Sequence, residues 1–123
     1  MLARVVVSFL LVQIFVAGAA LAAPDKEFAT FWTKFKTALQ KNDKNAIADM
    51  TKLPYMLNSK NLNKQQFLQA YPKIFTAQIR KCLSTQKPVK DKDSYFVFCG
   101  EEIYIFAKVA GKNYAFTEIG VND

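Results

Sequence analysis

Two carboxylates and five tyrosines are the side chains whose types and positions could support acid–base chemistry. Asp49 lies beside the apolar side of a short helical segment, and Glu118 interrupts the aromatic side of the last predicted strand. Burial raises the pKa of a carboxyl group and makes it a stronger base, and a neighbouring tyrosine hydroxyl could then stabilise an oxyanion. The tyrosines that could donate are Tyr55, Tyr71, Tyr95, Tyr104 and Tyr114. This pattern is compatible with an isomerase-like or hydrolase-like enzyme only if one of the carboxylates is buried.

Other features of the chain favour a non-catalytic protein. It contains no histidine, which removes the commonest general base at neutral pH. Glu101 and Glu102 are more typical of a turn than of a metal site, because neighbouring strand residues point to opposite faces. Asp49 and Glu118 also have an ordinary interpretation, as a surface charge and an exposed sheet residue paired with lysine. We therefore assign no catalytic, metal-binding or cofactor-binding residue from the sequence.

Cys82 and Cys99 are the only cysteines of the chain. In an exported domain two cysteines usually form one disulfide. Closing a loop of about 17 residues stabilises a fold by about 3 kcal/mol in the chain-entropy description. Two buried free thiols are the alternative. The spacing does not match a C-x-x-C redox motif, and without histidine there is no Cys/His zinc set.

Residues 1–22 carry the pattern of an export signal. Met1–Arg4 supplies one positive charge, Val5–Val16 is almost continuously apolar, and Ala20-Leu21-Ala22 forms an A-x-A cleavage signature. Cleavage after Ala22 leaves a single domain, residues 23–123, in the periplasm or outside the cell. The signal peptide is then the only expected membrane contact. An uncleaved membrane anchor is the alternative interpretation.

The net charge of the chain is +7, and lysine supplies nearly all of its basic residues. Nucleic-acid binders usually carry a clustered basic stripe with arginine for bidentate contacts. Here Arg80 is the only arginine beyond the signal segment, and Asp91 and Asp93 interrupt the densest lysine group. The pattern favours a solvated lysine-rich surface and no nucleic-acid partner. Attraction to an acidic envelope surface or partner is the alternative.

Helices are predicted in the first two thirds of the mature chain. The first has Asp25 as its N-cap, ends near Asn42 and carries an apolar stripe at helical spacing. That stripe is Phe28, Phe31, Trp32, Phe35, Ala38 and Leu39. A second helix over Lys44–Thr51 begins at the Asp43 cap, and Pro54 prevents its continuation.

The next segments are predicted as a short strand, a loop and a broken helix. Leu53–Leu57 is an apolar run that could be a strand, and Asn58–Asn63 is predicted to be a polar loop. Asn63 and Gln66 form a capping pair for a third helix. Pro72 interrupts its pattern, so two helical pieces should meet near Tyr71. A surface connection, Gln86–Ser94, follows.

The C-terminal third predicts an antiparallel meander of three strands, Tyr95–Cys99, Glu102–Val109 and Asn113–Ile119. Gly100-Glu101 and Ala110-Gly111-Lys112 supply the turns. Both faces of the middle strand are partly apolar, more than a sheet with one solvated face requires. Helices should therefore cover one face, while the other curls around a cavity or meets a second subunit.

This order of elements, with several short motifs, resembles the cone-shaped nuclear-transport-factor-2-like fold of the cystatin-like class. The chain is similar to small exported bacterial proteins of that group. The motifs are Phe31–Lys36 with Asn42-Asp43, Phe67–Tyr71 with Ile74-Phe75, Phe98–Gly100, and Phe116–Asp123. The resemblance implies an α+β fold with N-terminal helices packed on the meander. It implies no activity, because the group includes enzymes and binding modules, and no acidic residue here matches a family catalytic position.

The prediction of a binding function rests on the aromatic side chains. Most should be core, and Trp32 is favoured as core, while a minority could line an apolar pocket with tyrosine hydroxyls at its mouth. The candidate pocket residues are Trp32, Phe35, Tyr55, Tyr71, Tyr95, Tyr104 and Glu118. We expect an exported, non-catalytic domain that binds a small apolar ligand or a protein partner through its cone or open sheet face, including by homodimerisation. An enzyme and a basic inhibitor or envelope-interaction protein are the alternatives.

Overall fold

A computed structural model of the chain describes residues 25–110 and 113–122. The predicted signal peptide, residues 1–22, lies outside the described residues, as do Gly111 and Lys112 of the predicted hairpin turn. No helix within the described ranges is long and apolar enough to cross a membrane.

The first helix, α1 (Lys26–Gln40), begins as its sequence predicts. The Asp25 carboxylate accepts a hydrogen bond of 2.6 Å from the Phe28 N–H, and the predicted apolar stripe is buried. The helix ends two residues before Asn42, which adopts a left-handed φ of 53°. Helix α2 (Lys44–Asp49) begins at the predicted Asp43 cap.

Helix α2 is two residues shorter than predicted because the chain leaves it to pair with the sheet. The Phe116 N–H donates to the Met50 carbonyl, and the Lys52 N–H donates to the Phe116 carbonyl, each at 2.8 Å. Thr51 between them forms a parallel bridge to Phe116. This pairing covers part of an edge strand that would otherwise be open.

A small hairpin follows, formed by β1 (Tyr55–Leu57) and β2 (Lys60–Leu62). The predicted strand is confirmed in its second half, whereas the prediction that residues 58–63 form a loop is wrong for β2. Asn58 and Ser59 take positive φ values of 50° and 65°. Two such residues form a tight turn whose twist matches the paired strands.

Helices α3 (Lys64–Ile74) and α4 (Ala77–Thr85) are the two predicted pieces of the broken helix. The Asn63–Gln66 capping box is confirmed, with both hydrogen bonds at 2.9 Å. The break lies at residues 75–76 rather than near Tyr71, because Pro72 is accommodated in the last turn of α3. Thr76 then caps α4.

Four antiparallel strands form the main sheet in the order β3–β4–β5–β6. They are β3 (Val89–Asp91), β4 (Ser94–Cys99), β5 (Glu102–Lys108) and β6 (Tyr114–Val121). The predicted three-strand meander is confirmed, and Gly100 makes its first turn with a φ of 67°. The short edge strand β3 was predicted as part of a surface connection.

The helices cover one face of this sheet, which confirms an α+β fold with helices followed by an antiparallel sheet. Large rings from both layers interlock, with centroids 5.2 Å apart for Trp32 and Phe106 and 5.1 Å for Phe35 and Phe106. The predicted disulfide joins Cys82 on α4 to Cys99 at the end of β4. It ties the last helix to the covered face of the sheet.

Candidate functional site

The seven candidate pocket residues do not meet at one cavity. Six of them are between 0 and 7% exposed and belong to the hydrophobic core: Trp32, Phe35, Tyr55, Tyr71, Tyr95 and Tyr104. Glu118 is exposed. The space between helices and sheet is thus filled by the protein's own rings, as for Tyr55, whose ring stacks on that of Phe116 at 5.4 Å.

The hydroxyls of Tyr71, Tyr95 and Tyr104 form hydrogen bonds within the protein. Tyr104 donates to the Ile74 carbonyl at 2.9 Å, and Tyr71 donates to Asn42 Oδ1 at 2.9 Å. Burial raises the pKa of Tyr104 and of Tyr55 well above the ordinary 10.0. Both phenols therefore stay neutral at physiological pH.

Asp25, which the sequence marked only as a helix cap, joins two tyrosines. Tyr114 donates to its Oδ2 at 2.9 Å and Tyr95 donates to the same oxygen at 3.2 Å. The Asp25 N–H in turn donates to the Tyr95 hydroxyl at 3.0 Å. We call Asp25, Tyr95 and Tyr114 the Asp25 cluster. Its members lie 70 and 89 residues apart in the chain, so no local sequence signal could reveal it.

The electrostatics of the Asp25 cluster favour a structural role over a role in proton transfer. The hydrogen bond from the Phe28 N–H, with smaller contributions from both tyrosines, lowers the pKa of Asp25 below 3.8. Burial, together with the Asp25 carboxylate, raises the pKa of Tyr114. A carboxylate stabilised in its charged form is a weak base. The cluster therefore pins the start of α1 onto β4 and β6.

Neither carboxylate that an enzyme would need is buried. The Asp49 side chain is 66% exposed and forms an ion pair of 3.0 Å with Lys64. Glu118 is exposed on β6, so neither carboxylate is enclosed by apolar side chains. The geometry gives the enzyme alternative no support.

Glu118 also lies on the opposite face of the sheet from the one predicted. Alternation along β6 would place it beside Phe116, among the aromatic side chains. A bulge between the pairs Phe106–Phe116 and Ile105–Glu118 adds one residue, Thr117, to β6. The extra residue shifts the side chains that follow it, so Glu118 shares a face with Ile105.

The face of the sheet turned away from the helices is an apolar surface that no other part of the described chain covers. We call it the open face. Cross-strand register places these apolar side chains on it: Val89, Phe96, Phe98, Ile103, Ile105 and Ala107. None of them belongs to the core or packs against it in the described chain. Val89 is 51% exposed and Phe98 39%.

The charged side chains that the strand register places on the open face are acidic. Asp91, opposite Ser94, lies at the β3 edge, and Glu118, opposite Ile105, lies at the β6 edge. The lysines of the same strands belong to the other face, because Lys90 pairs with Tyr95 and Lys108 with Tyr114. Lys108 is in addition held by Glu27 of α1 at 2.7 Å, a hydrogen bond that raises the pKa of Lys108. A basic protein thus carries an apolar surface edged by carboxylates.

Comparisons with protein-family profiles, with curated proteins and with solved structures find no match to this chain. Sequence reasoning predicted that both sheet faces are partly apolar. The surplus of Ile and Phe at alternate positions of β4 and β5 was the signal for the open face.

Proposed function

We propose that this protein is an exported, non-catalytic binding domain that engages a protein partner through the open face. The observation that carries the proposal is a row of apolar side chains on β3, β4 and β5 that no helix of the described chain covers. A contiguous apolar surface of this kind is costly to leave in water and commonly marks an interaction site. Phe98, whose ring lies 6.4 Å from that of Phe96, supplies its aromatic anchor.

The charges around the open face define the chemistry of the partner. An apolar centre edged by Asp91 and Glu118 complements an apolar patch flanked by lysine or arginine side chains. Complementary charges of this kind speed association and reject partners of the wrong sign. A second copy of this chain would meet the open face with the same two carboxylates, so we favour a different protein.

Export is part of the proposal. Its support is the signal pattern of residues 1–22 together with a disulfide between Cys82 and Cys99, since disulfides persist in oxidising compartments. The same proposal includes the cone-shaped nuclear-transport-factor-2-like fold. Helices followed by a four-stranded antiparallel sheet are compatible with it. Because the interior is filled by core rings, we place binding on the surface rather than inside a cone.

A position-specific photocrosslinking experiment tests the open face in the producing cell. The full chain carries a benzophenone side chain at Phe98 or, as the control, at Met56. Met56 is the matched position because it is 59% exposed and apolar but lies on the β1–β2 hairpin. We expect one dominant adduct from position 98 that is absent from position 56, and Glu118→Lys should reduce its yield.

Three results would overturn the proposal. They are equal adducts from the two positions, no adduct from position 98, and an adduct with twice the mass of the chain. The last would identify the partner as a second copy. Salt provides a further check, because raising it from about 0.05 M to about 0.5 M should reduce the adduct yield if basic groups meet the acidic edges.

A further inference from the structure

A second surface feature, independent of the open face, is a cleft between α1, the segment that follows α2, and the start of β6. Its volume is about 480 Å³, within the range of sites that hold small ligands. Apolar side chains supply much of its lining, among them Phe31, Met50, Leu53 and Val109. Phe31 is a core residue, 6% exposed, that also lines the cleft.

Two lysines give the cleft its charge. Lys34 projects from α1 and Lys52 follows α2, and both line it. The ion pairs formed among the described residues are Lys64–Asp49 and Lys108–Glu27, so neither lysine of the cleft has a carboxylate within 4.0 Å there. Asp49 also lines the cleft, but Lys64 holds one of its oxygens at 3.0 Å. Lys34 and Lys52 therefore have no ion-pair partner among the described residues, and Asp49 is the one carboxylate that shares the cleft with them.

We propose that this cleft binds a small amphipathic anion, namely an organic carboxylate with an unbranched apolar tail. The tail lies against Phe31, Met50 and Leu53, where it leaves water. The carboxylate lies between Lys34 and Lys52 and accepts a charge-assisted hydrogen bond from each. An uncharged molecule of the same shape has no group for these ammonium ions, and an inorganic anion has nothing for the apolar wall. The site thus requires both properties in one ligand.

A titration with decanoate tests the proposal. The full-length exported protein is used, and binding is measured by calorimetry and by amide chemical-shift changes. The double variant Lys34→Gln/Lys52→Gln removes both charges from exposed positions without touching the core. The matched control is Lys60→Gln, an exposed lysine on β2 outside the cleft. We expect the double variant to raise the dissociation constant about tenfold or more, which corresponds to at least about 1.4 kcal/mol. The control should bind as the wild type does.

Decanol is the second ligand to be compared, because it has the same apolar tail as decanoate but no charge. It should bind at least about tenfold more weakly than decanoate. Unchanged decanoate affinity in the double variant, equal affinity for decanol, or shift changes centred on Phe98 and Ile105 would each refute the cleft. Phe98→Ser should leave decanoate binding unchanged, so failure of the cleft is distinguishable from failure of the partner-binding face.

Discussion

The Asp25 cluster yields the sharpest test of how this fold is held together. Asp25→Ala removes the N-cap of α1, which costs about 1 kcal/mol. It also leaves the hydroxyls of Tyr95 and Tyr114, 1% and 7% exposed as residues, without their common acceptor. A buried donor without a partner costs about 1–3 kcal/mol. Because both hydroxyls lie near the surface at Asp25, where water can replace part of the loss, we expect about 2–4 kcal/mol in total.

Asp43→Ala is the matched control, because Asp43 is also an N-cap. Its carboxylate accepts from the Ala46 N–H at 3.1 Å and has no tyrosine partner among the described residues. Its loss should cost only the cap, about 1 kcal/mol. The difference between the two losses in unfolding free energy measures the contribution of the tyrosine hydrogen bonds to Asp25.

The assay is urea unfolding at neutral pH followed by tryptophan fluorescence, since Trp32 lies in the core close to α1's N-terminus. The double-mutant cycle Asp25→Ala/Tyr114→Phe should give a coupling energy of about 1 kcal/mol. If Asp25→Ala is no more destabilising than Asp43→Ala, or if the coupling energy is zero, the cluster does not fasten the helix to the sheet.

Three further outcomes follow from the same contacts. Because folding lowers the pKa of Asp25, its charge stabilises the fold above pH 3.8 and that contribution is lost as pH falls through the folded pKa. The melting temperatures of wild type and Asp25→Asn should therefore converge as the pH falls below the ordinary Asp value of 3.8, and a constant gap would contradict this. Replacing Cys82 and Cys99 by serine should cost about 3 kcal/mol, and wild type under reducing conditions should then unfold at the same urea concentration. Phe106→Ala, in the core, should cost about 3–5 kcal/mol, whereas Phe98→Ala on the open face should cost under about 1 kcal/mol; similar losses would contradict the assignment of the faces.

The local signals of the sequence were sufficient for most elements. The stripe of α1 and the caps Asp25, Asp43 and Asn63 are confirmed, because a cap depends on side-chain and backbone atoms only three residues apart. The end of helix α2 was misplaced because it depends on a distant partner. Helix α2 ends early because Met50 bonds to Phe116, and this contact spans 66 residues of chain.

The short edge strands were also not predicted from the sequence. Strand β3 and strand β2 have three residues each, too few for a periodic pattern to stand out from a loop. Asn58-Ser59 does form a two-residue hairpin turn, but it lacks the glycine that usually marks one. In both strands the pairing partner, rather than intrinsic propensity, determines the extended conformation.

The face assignment of Glu118 shows why a candidate site is harder to predict than a strand. A face is predicted by counting alternate residues along one strand. The single extra residue, Thr117, moves every following side chain of β6 to the opposite face from the one counted. The sequence placed Glu118 beside the aromatic core, where it could have become a base. The bulge places it at the acidic edge of the open face instead.

By itself, the sequence determined the helical stripe, the helix caps, the meander and the pairing of two lone cysteines. These depend on spacing within a few residues or, for the cysteines, on their number. Only the tertiary structure decided which of two apolar sheet faces the helices cover, and that Asp25 meets Tyr95 and Tyr114. It also decided that the tyrosines fill the interior rather than line it. The physical reason is that both faces of the sheet could bury apolar area, and the choice depends on how rings far apart in the chain pack together.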